Sequence, residues 1–160
     1  NIEKLLIPFL SYAKKLTVVD PYFYIDTAGS ESSLRIIAKL LGERRGSHQS
    51  GSIVINCSSE KRNINSYKKT WRNILLDIKN ETGHVIEINI WARKEDSIRM
   101  HDRYLITNQS GLVSAAGTSV YELQQSEWSI KDYREHDDIL SQYKPNSSPF
   151  NLICKISTEE

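Results

Sequence analysis

Three short runs of apolar and β-branched residues set the frame of this chain: Leu16-Thr17-Val18-Val19, Ser52-Ile53-Val54-Ile55-Asn56-Cys57, and Val85 to Trp91. Each has the length and composition of a strand. Between them, apolar residues recur three and four apart. Leu34, Ile37, Ala38 and Leu41 predict a helix over 32–42, capped by Ser30 or Ser32. Tyr67, Trp71, Ile74, Leu75 and Ile78 predict a longer one, from Asn65 or Ser66 to about Thr82, with Gly83 as its stop. Strand, helix, strand, helix, strand is the signature of parallel βαβ units, because a crossover helix returns the chain to start the next strand in the same direction.

The rest hangs on that frame. Ile2, Leu5, Leu6, Phe9, Leu10 and Ala13 have helical spacing, and Pro8 either kinks that helix or moves its start to about Ile7. Gly42 to Gly51 is a surface loop, not a domain boundary. Tyr104–Thr107 and Leu112–Ala116 predict an antiparallel hairpin around Asn108-Gln109-Ser110-Gly111. Further strands are expected at Asp138–Gln142 and Phe150–Ile156. The fold class is therefore α/β, a mixed β-sheet flanked by helices on both faces. Residues 1–160 form a single domain, which is the natural count for this length. A chain that opens on Asn1 rather than Met reads as a domain cut from something longer.

Composition narrows the class without naming a function. A net charge of +1 argues against a strongly basic nucleic-acid protein and leaves room for a local patch. Cys57 and Cys154 sit in separate apolar runs with no C-x-x-C spacing, so both read as small buried hydrophobes in a reducing, cytoplasmic setting. No apolar run approaches the ~20 residues of a membrane span.

The residues that carry chemistry cluster at the hairpin. His101 and Arg103 are two apart at the start of a strand, so their side chains share a face. After the second strand come Gly117-Thr118-Ser119. A base or nucleophile, a fixed cation and small hydroxyl donors suit a phosphate. Asp20 closes the first strand and delivers a carboxylate into a turn, where it orients a site residue or caps the turn. Arg93, Lys94 and Arg99 read as a solvated loop or a cationic rim. Trp91 and Trp128 read as buried strand-end residues or base-stacking rings. His48 and His84 have no constellation around them.

His101-x-Arg103, four residues, Asn108, then Gly117-Thr118-Ser119 resembles the motif of the phospholipase D superfamily: His-x-Lys, four residues, Asp, then Gly-Ser-x-Asn. His-Asp-Arg-Tyr-Leu-Ile looks like a bacterial branch with arginine for lysine, and Val19-Asp20-Pro21-Tyr22 resembles the end of that family's first strand. About twenty residues carry the motif; the order of elements carries the rest. Arg103 stands where lysine is usual, Asn108 where aspartate is, Thr118 where serine is and Val120 where asparagine is. The interval from Asn108 to Gly117 is two residues longer than the family pattern.

The resemblance implies a metal-independent phosphodiesterase or nuclease without a cofactor. His101 would attack phosphorus and form a phosphohistidine, and a second histidine would protonate the leaving oxygen. Arg103 would hold the phosphate oxygens, with Thr118, Ser119 and Asn108 as further phosphate contacts. Asp20 and Glu135 would support them. Members with one motif pair as homodimers, so the second histidine comes from a partner copy, from the remainder of a longer chain, or from His136. Nucleic acid or another phosphodiester is the implied substrate, and compact bacterial members are often nucleases tied to defence systems. The four departures also allow a catalytically degenerate module of the same fold that binds phosphate, nucleic acid or anionic lipid, or that mediates assembly.

Overall fold

The computed structural model describes residues 2–23, 28–45, 50–59, 64–94, 100, 103–108, 111–114, 128–131 and 133–159. In chain order these form α1 (Ile2–Leu10), β1 (Lys15–Val19), α2 (Ala28–Leu40), β2 (Ser52–Ser58), α3 (Ile64–Thr82), β3 (Val85–Arg93), β4 (Arg103–Thr107), β5 (Gly111–Ser114), β6 (Trp128–Lys131), α4 (Tyr133–Ser141) and β7 (Phe150–Ser157). The strands make one seven-stranded mixed sheet in the order β6-β5-β4-β1-β2-β3-β7. β1, β2 and β3 are parallel, while β4 runs antiparallel to β1 and β7 antiparallel to β3.

Register decides which residues share a face. Leu16 pairs with Ile53 and Val18 with Ile55; Ile53 pairs with Ile86 and Ile55 with Ile88; Val18 pairs with Leu105. All are buried on one face, where Leu6, Leu10, Leu34, Ile37, Ala38, Leu41, Trp71, Leu75 and Ile78 of α1, α2 and α3 cover them. These three helices pack in sequence, α1 on α2 and α2 on α3. Both crossovers step the same way across the sheet, so right-handed connections place α2 and α3 on the same side. Tyr143, just past α4, meets Trp91 edge-on with ring centroids 6.0 Å apart. Trp91 belongs to the other face, which the chain following α4 therefore covers.

That other face is built differently. Val19 pairs with Asn56, Asn56 with Asn89 and Ser58 with Trp91. Asn56 and Asn89 are buried, and Asn56 Oδ1 accepts the Trp91 Nε1–H at 2.9 Å. Burying an indole N–H without an acceptor would cost a few kcal/mol, so the asparagine stands opposite the tryptophan for a reason.

Helix ends follow local chemistry. Gly42, past the end of α2, has φ +69° and donates its N–H to Leu10 O at 2.9 Å; Gly83, past α3, has φ +76° and donates to Lys79 O at 2.7 Å. Such φ values favour glycine. Pro8 lies inside α1, which begins at Ile2.

Several expectations about elements need correction; α3, for one, begins at Ile64, so Asn65 and Ser66 lie inside it. Residues 138–142 are not a strand; α4 spans Tyr133–Ser141. Ile139, Leu140 and Tyr143 lie at helical spacing, and the adjacent Ile139-Leu140 pair alone mimicked a strand. The helix expected over 32–42 begins at Ala28, which places Ser30 and Ser32 inside it, not at its cap. Cys154 is half-buried, whereas Cys57 is fully buried, and both are free thiols.

Candidate functional site at the carboxyl end of the sheet

β1 ends in a turn that its own residues specify. Phe23 N–H donates to Asp20 O at 3.2 Å, closing a four-residue turn with Pro21 at its second position. Proline favours that position because its ring presets φ. Asp20 Oδ1 accepts the Tyr22 N–H at 2.9 Å, so the carboxylate caps the turn. The turn is also tied outward. Ser58 N–H donates to Pro21 O at 3.3 Å, and the buried Phe23 ring lies 5.2 Å from that of Trp71 on α3.

β4 brings Arg103 to this turn. Val19 and Tyr104 are the last paired residues of β1 and β4, so Arg103 begins β4 beside the exit of β1. Arg103 Nε lies 3.6 Å from Asp20 Oδ1, an ion pair whose side chains are 14% and 3% exposed. At that length it is Coulombic attraction rather than a formed hydrogen bond. The guanidinium carbon lies 4.9 Å from the centroid of the Tyr22 ring, in cation–π range. Asp20 therefore caps the turn and also faces the Arg103 guanidinium.

Topology brings two helix starts to this edge of the sheet. α2 follows β1 and α3 follows β2, so both helices run back down the sheet and start at its carboxyl end. Helix N-termini carry partial positive charge. In open α/β sheets ligands sit outside the carboxyl ends of the parallel strands.

Asn108 is not part of this cluster. Its Oδ1 accepts the backbone N–H groups of Lys14 and Lys15, at 2.9 and 3.1 Å, where β1 begins. Asn108 lies five residue steps along the strand from Arg103, about 17 Å at the rise of a β-strand. Its role is to hold the amino end of β1 against the carboxyl end of β4, and it cannot contact a phosphate at Arg103.

Lys94 is anchored as well. Its Nζ donates to Ser148 O at 3.0 Å, tying β3 to the loop before β7. Arg93 is exposed. Trp91 is buried and committed to Asn56. His101, Thr118, Ser119 and Arg99 lie outside the described residues. For Glu135 and His136 only the helical backbone of α4 is described, and for Trp128 only the strand backbone of β6.

His84 has a constellation that sequence reading missed. It is buried, and its Nδ1 accepts the Gly51 N–H at 2.9 Å, at the start of β2. Burial pushes its pKa below the usual range. Hydrogen bonds to the Ala38 and Leu41 carbonyls at the end of α2 pull the other way, and the charge of Arg45 adds to the lowering. A cationic ring could not accept the Gly51 N–H, so the neutral form is the one the fold uses. This cluster lies at the amino end of the sheet, away from Arg103.

Among the described residues no group of three or more His, Cys, Asp or Glu is placed to hold a metal ion, and no helix is long and apolar enough to cross a membrane. Compared with known proteins, the chain matches no family model, and no curated protein matches it.

Proposed function

We propose that the chain is a metal-independent phosphodiesterase of the phospholipase D type, a nuclease in class, with its site at the carboxyl end of the sheet around Arg103. The observation that carries this reading is the placement of Arg103. A permanent cation is fixed at the first residue of β4, beside Asp20 and at the sheet edge where α2 and α3 begin. His101 is two residues upstream of it. In this reading His101 attacks phosphorus, the N–P bond forming as the bond to the leaving oxygen breaks, and water then cleaves the phosphohistidine to release the phosphate product and free His101. Arg103 neutralises the equatorial oxygens, and a second histidine supplies the leaving-group proton. That histidine comes from the partner copy of a homodimer or from His136. Thr118 and Ser119 donate to the phosphate, and Glu135 orients a histidine. A cytoplasmic nuclease of a bacterial defence system is the setting the motif resemblance favours.

The test is hydrolysis of nucleic acid and of chromogenic phosphodiesters in EDTA by the wild type, His101→Ala and Arg103→Ala. Turnover that survives chelation and disappears in His101→Ala supports the reading. Turnover indifferent to His101 refutes it.

One observation favours a second reading, a non-catalytic phosphate-binding module of the same fold. Arg103 is largely buried and already faces a carboxylate, an arrangement that also serves a purely structural pair. In that case His101→Ala retains wild-type binding, Arg103→Ala weakens it, and added salt weakens it further.

A further inference from the structure

Tyr22 stands out in the turn that closes β1. Asp20, Pro21 and Phe23 are buried, whereas Tyr22 is 52% exposed. The hydrogen bonds of the turn use the Phe23 and Tyr22 N–H groups with Asp20 O and Oδ1, and none of these needs an aromatic at Tyr22. The position tolerates most residues, and small polar ones dominate turns. The backbone that carries the ring is nonetheless tied down, and a cation faces the ring. Its backbone N–H is bound by Asp20 Oδ1, the residues on either side are pinned to Ser58 and Trp71, and the Arg103 guanidinium lies 4.9 Å from its centroid. A large ring has thus been preorganised, half in solvent, beside the cation that the proposed function assigns to phosphate.

We propose that Tyr22 is a stacking platform for a nucleobase adjoining the phosphate held at Arg103, which makes the substrate a nucleic acid strand with unpaired bases. The inference rests on the phosphate role of Arg103. Its physical basis is that base stacking on an exposed aromatic is tolerant of sequence, because every base has a π-face, and that a neighbouring cation strengthens the contact. A rigid turn lowers the entropy lost when the base docks. An anionic phospholipid such as phosphatidylglycerol presents its phosphate without a planar group to stack on the ring.

The experiment compares binding of a short end-labelled oligothymidylate with that of an abasic oligomer of equal length, followed by fluorescence anisotropy. Wild type, Tyr22→Leu, Tyr22→Trp and Arg103→Ala are compared, each also in the His101→Ala background so that no strand is consumed. Leucine keeps the bulk that shields the Asp20–Arg103 pair while removing the π-face, and thermal unfolding checks that the fold is retained. Tyr22→Leu should weaken oligothymidylate binding about ten-fold and leave the abasic strand unchanged, while Tyr22→Trp should bind at least as tightly as wild type. Equal loss on both strands, or no loss on either, overturns the proposal. So does wild-type binding to phosphatidylglycerol vesicles with none to oligothymidylate. If Arg103→Ala weakens both strands and Tyr22→Leu neither, only the stacking role falls. If wild type binds neither strand, or Arg103→Ala binds both normally, the phosphate reading falls and takes this proposal with it.

Discussion

Replacing Asp20 with asparagine separates the two roles of that residue. Asparagine keeps an oxygen for the Tyr22 N–H, so the turn is retained, but the charge facing Arg103 disappears. Two unit charges 3.6 Å apart attract by about 4 to 5 kcal/mol at an effective dielectric of about 20. Desolvation of both groups offsets part of this, yet removing one partner of a buried pair typically costs about 3 to 5 kcal/mol. The pair's low exposure means little screening by salt. We expect Asp20→Asn to lose about 3 kcal/mol in urea unfolding. If Arg103 also receives a phosphate, inorganic phosphate should take the place of the missing carboxylate. A ligand at a hundred times its Kd restores about 2.7 kcal/mol. The assay is urea unfolding of wild type and Asp20→Asn in potassium phosphate and in potassium chloride of matched ionic strength. Phosphate should stabilise the variant more than the wild type, and the difference should vanish in the Asp20→Asn, Arg103→Met double variant. A loss under about 0.5 kcal/mol would show that the ion pair is not worth what its burial implies. An equal phosphate effect on both proteins would show that Arg103 does not receive phosphate.

Asn108→Ala removes the acceptor for two backbone N–H groups at an exposed position, where water substitutes in part, so it should cost about 1 kcal/mol. Affinity for a phosphodiester should not change, and a weakened affinity in a binding titration would contradict the separation of Asn108 from the site. His84 sets a pH dependence. Its folded pKa lies below the ordinary 6.5, so the unfolded chain binds the extra proton first. Its contribution to stability is complete above that pH and is lost as the pH falls below it, through the lowered folded value. Urea unfolding at about pH 8 and about pH 5 should show this acid loss in the wild type and a smaller one in His84→Gln, which cannot become charged. Equal acid loss in both proteins would assign the effect to other groups.

Much of the architecture was legible because the signals are local. The β-branched runs and the three-and-four spacing between them foretold β1, α2, β2, α3 and β3, and Asn108 to Gly111 foretold the β4–β5 turn. The failures arose where local signals are short or shared. Ile139-Leu140 fits a strand or a helix equally in isolation, and the buried side of α4 decides for the helix. β6 is four residues long and, among the described residues, pairs with β5 alone, so its run carries little periodicity of its own. At the site, spacing placed Arg103 correctly beside a strand end. The same spacing grouped it with Asn108, because a motif written along the chain does not say that a strand carries its two ends to opposite edges of the sheet.

The sequence by itself determined the alternation of strands and helices, the parallel core and the placement of a carboxylate where β1 ends. These follow from periodicity, from proline and glycine chemistry, and from the rarity of a carboxylate at the end of an apolar strand. The tertiary structure alone decided that Asp20 faces Arg103, that Asn108 clamps the start of β1, that Asn56 serves the Trp91 indole, and that His84 works as a neutral acceptor for Gly51. Each is a contact between residues distant in the chain, and sheet register sets such contacts. Tyr22 is the clearest case. The sequence shows a tyrosine in a turn, and only the packing of its neighbours leaves that ring exposed beside a cation.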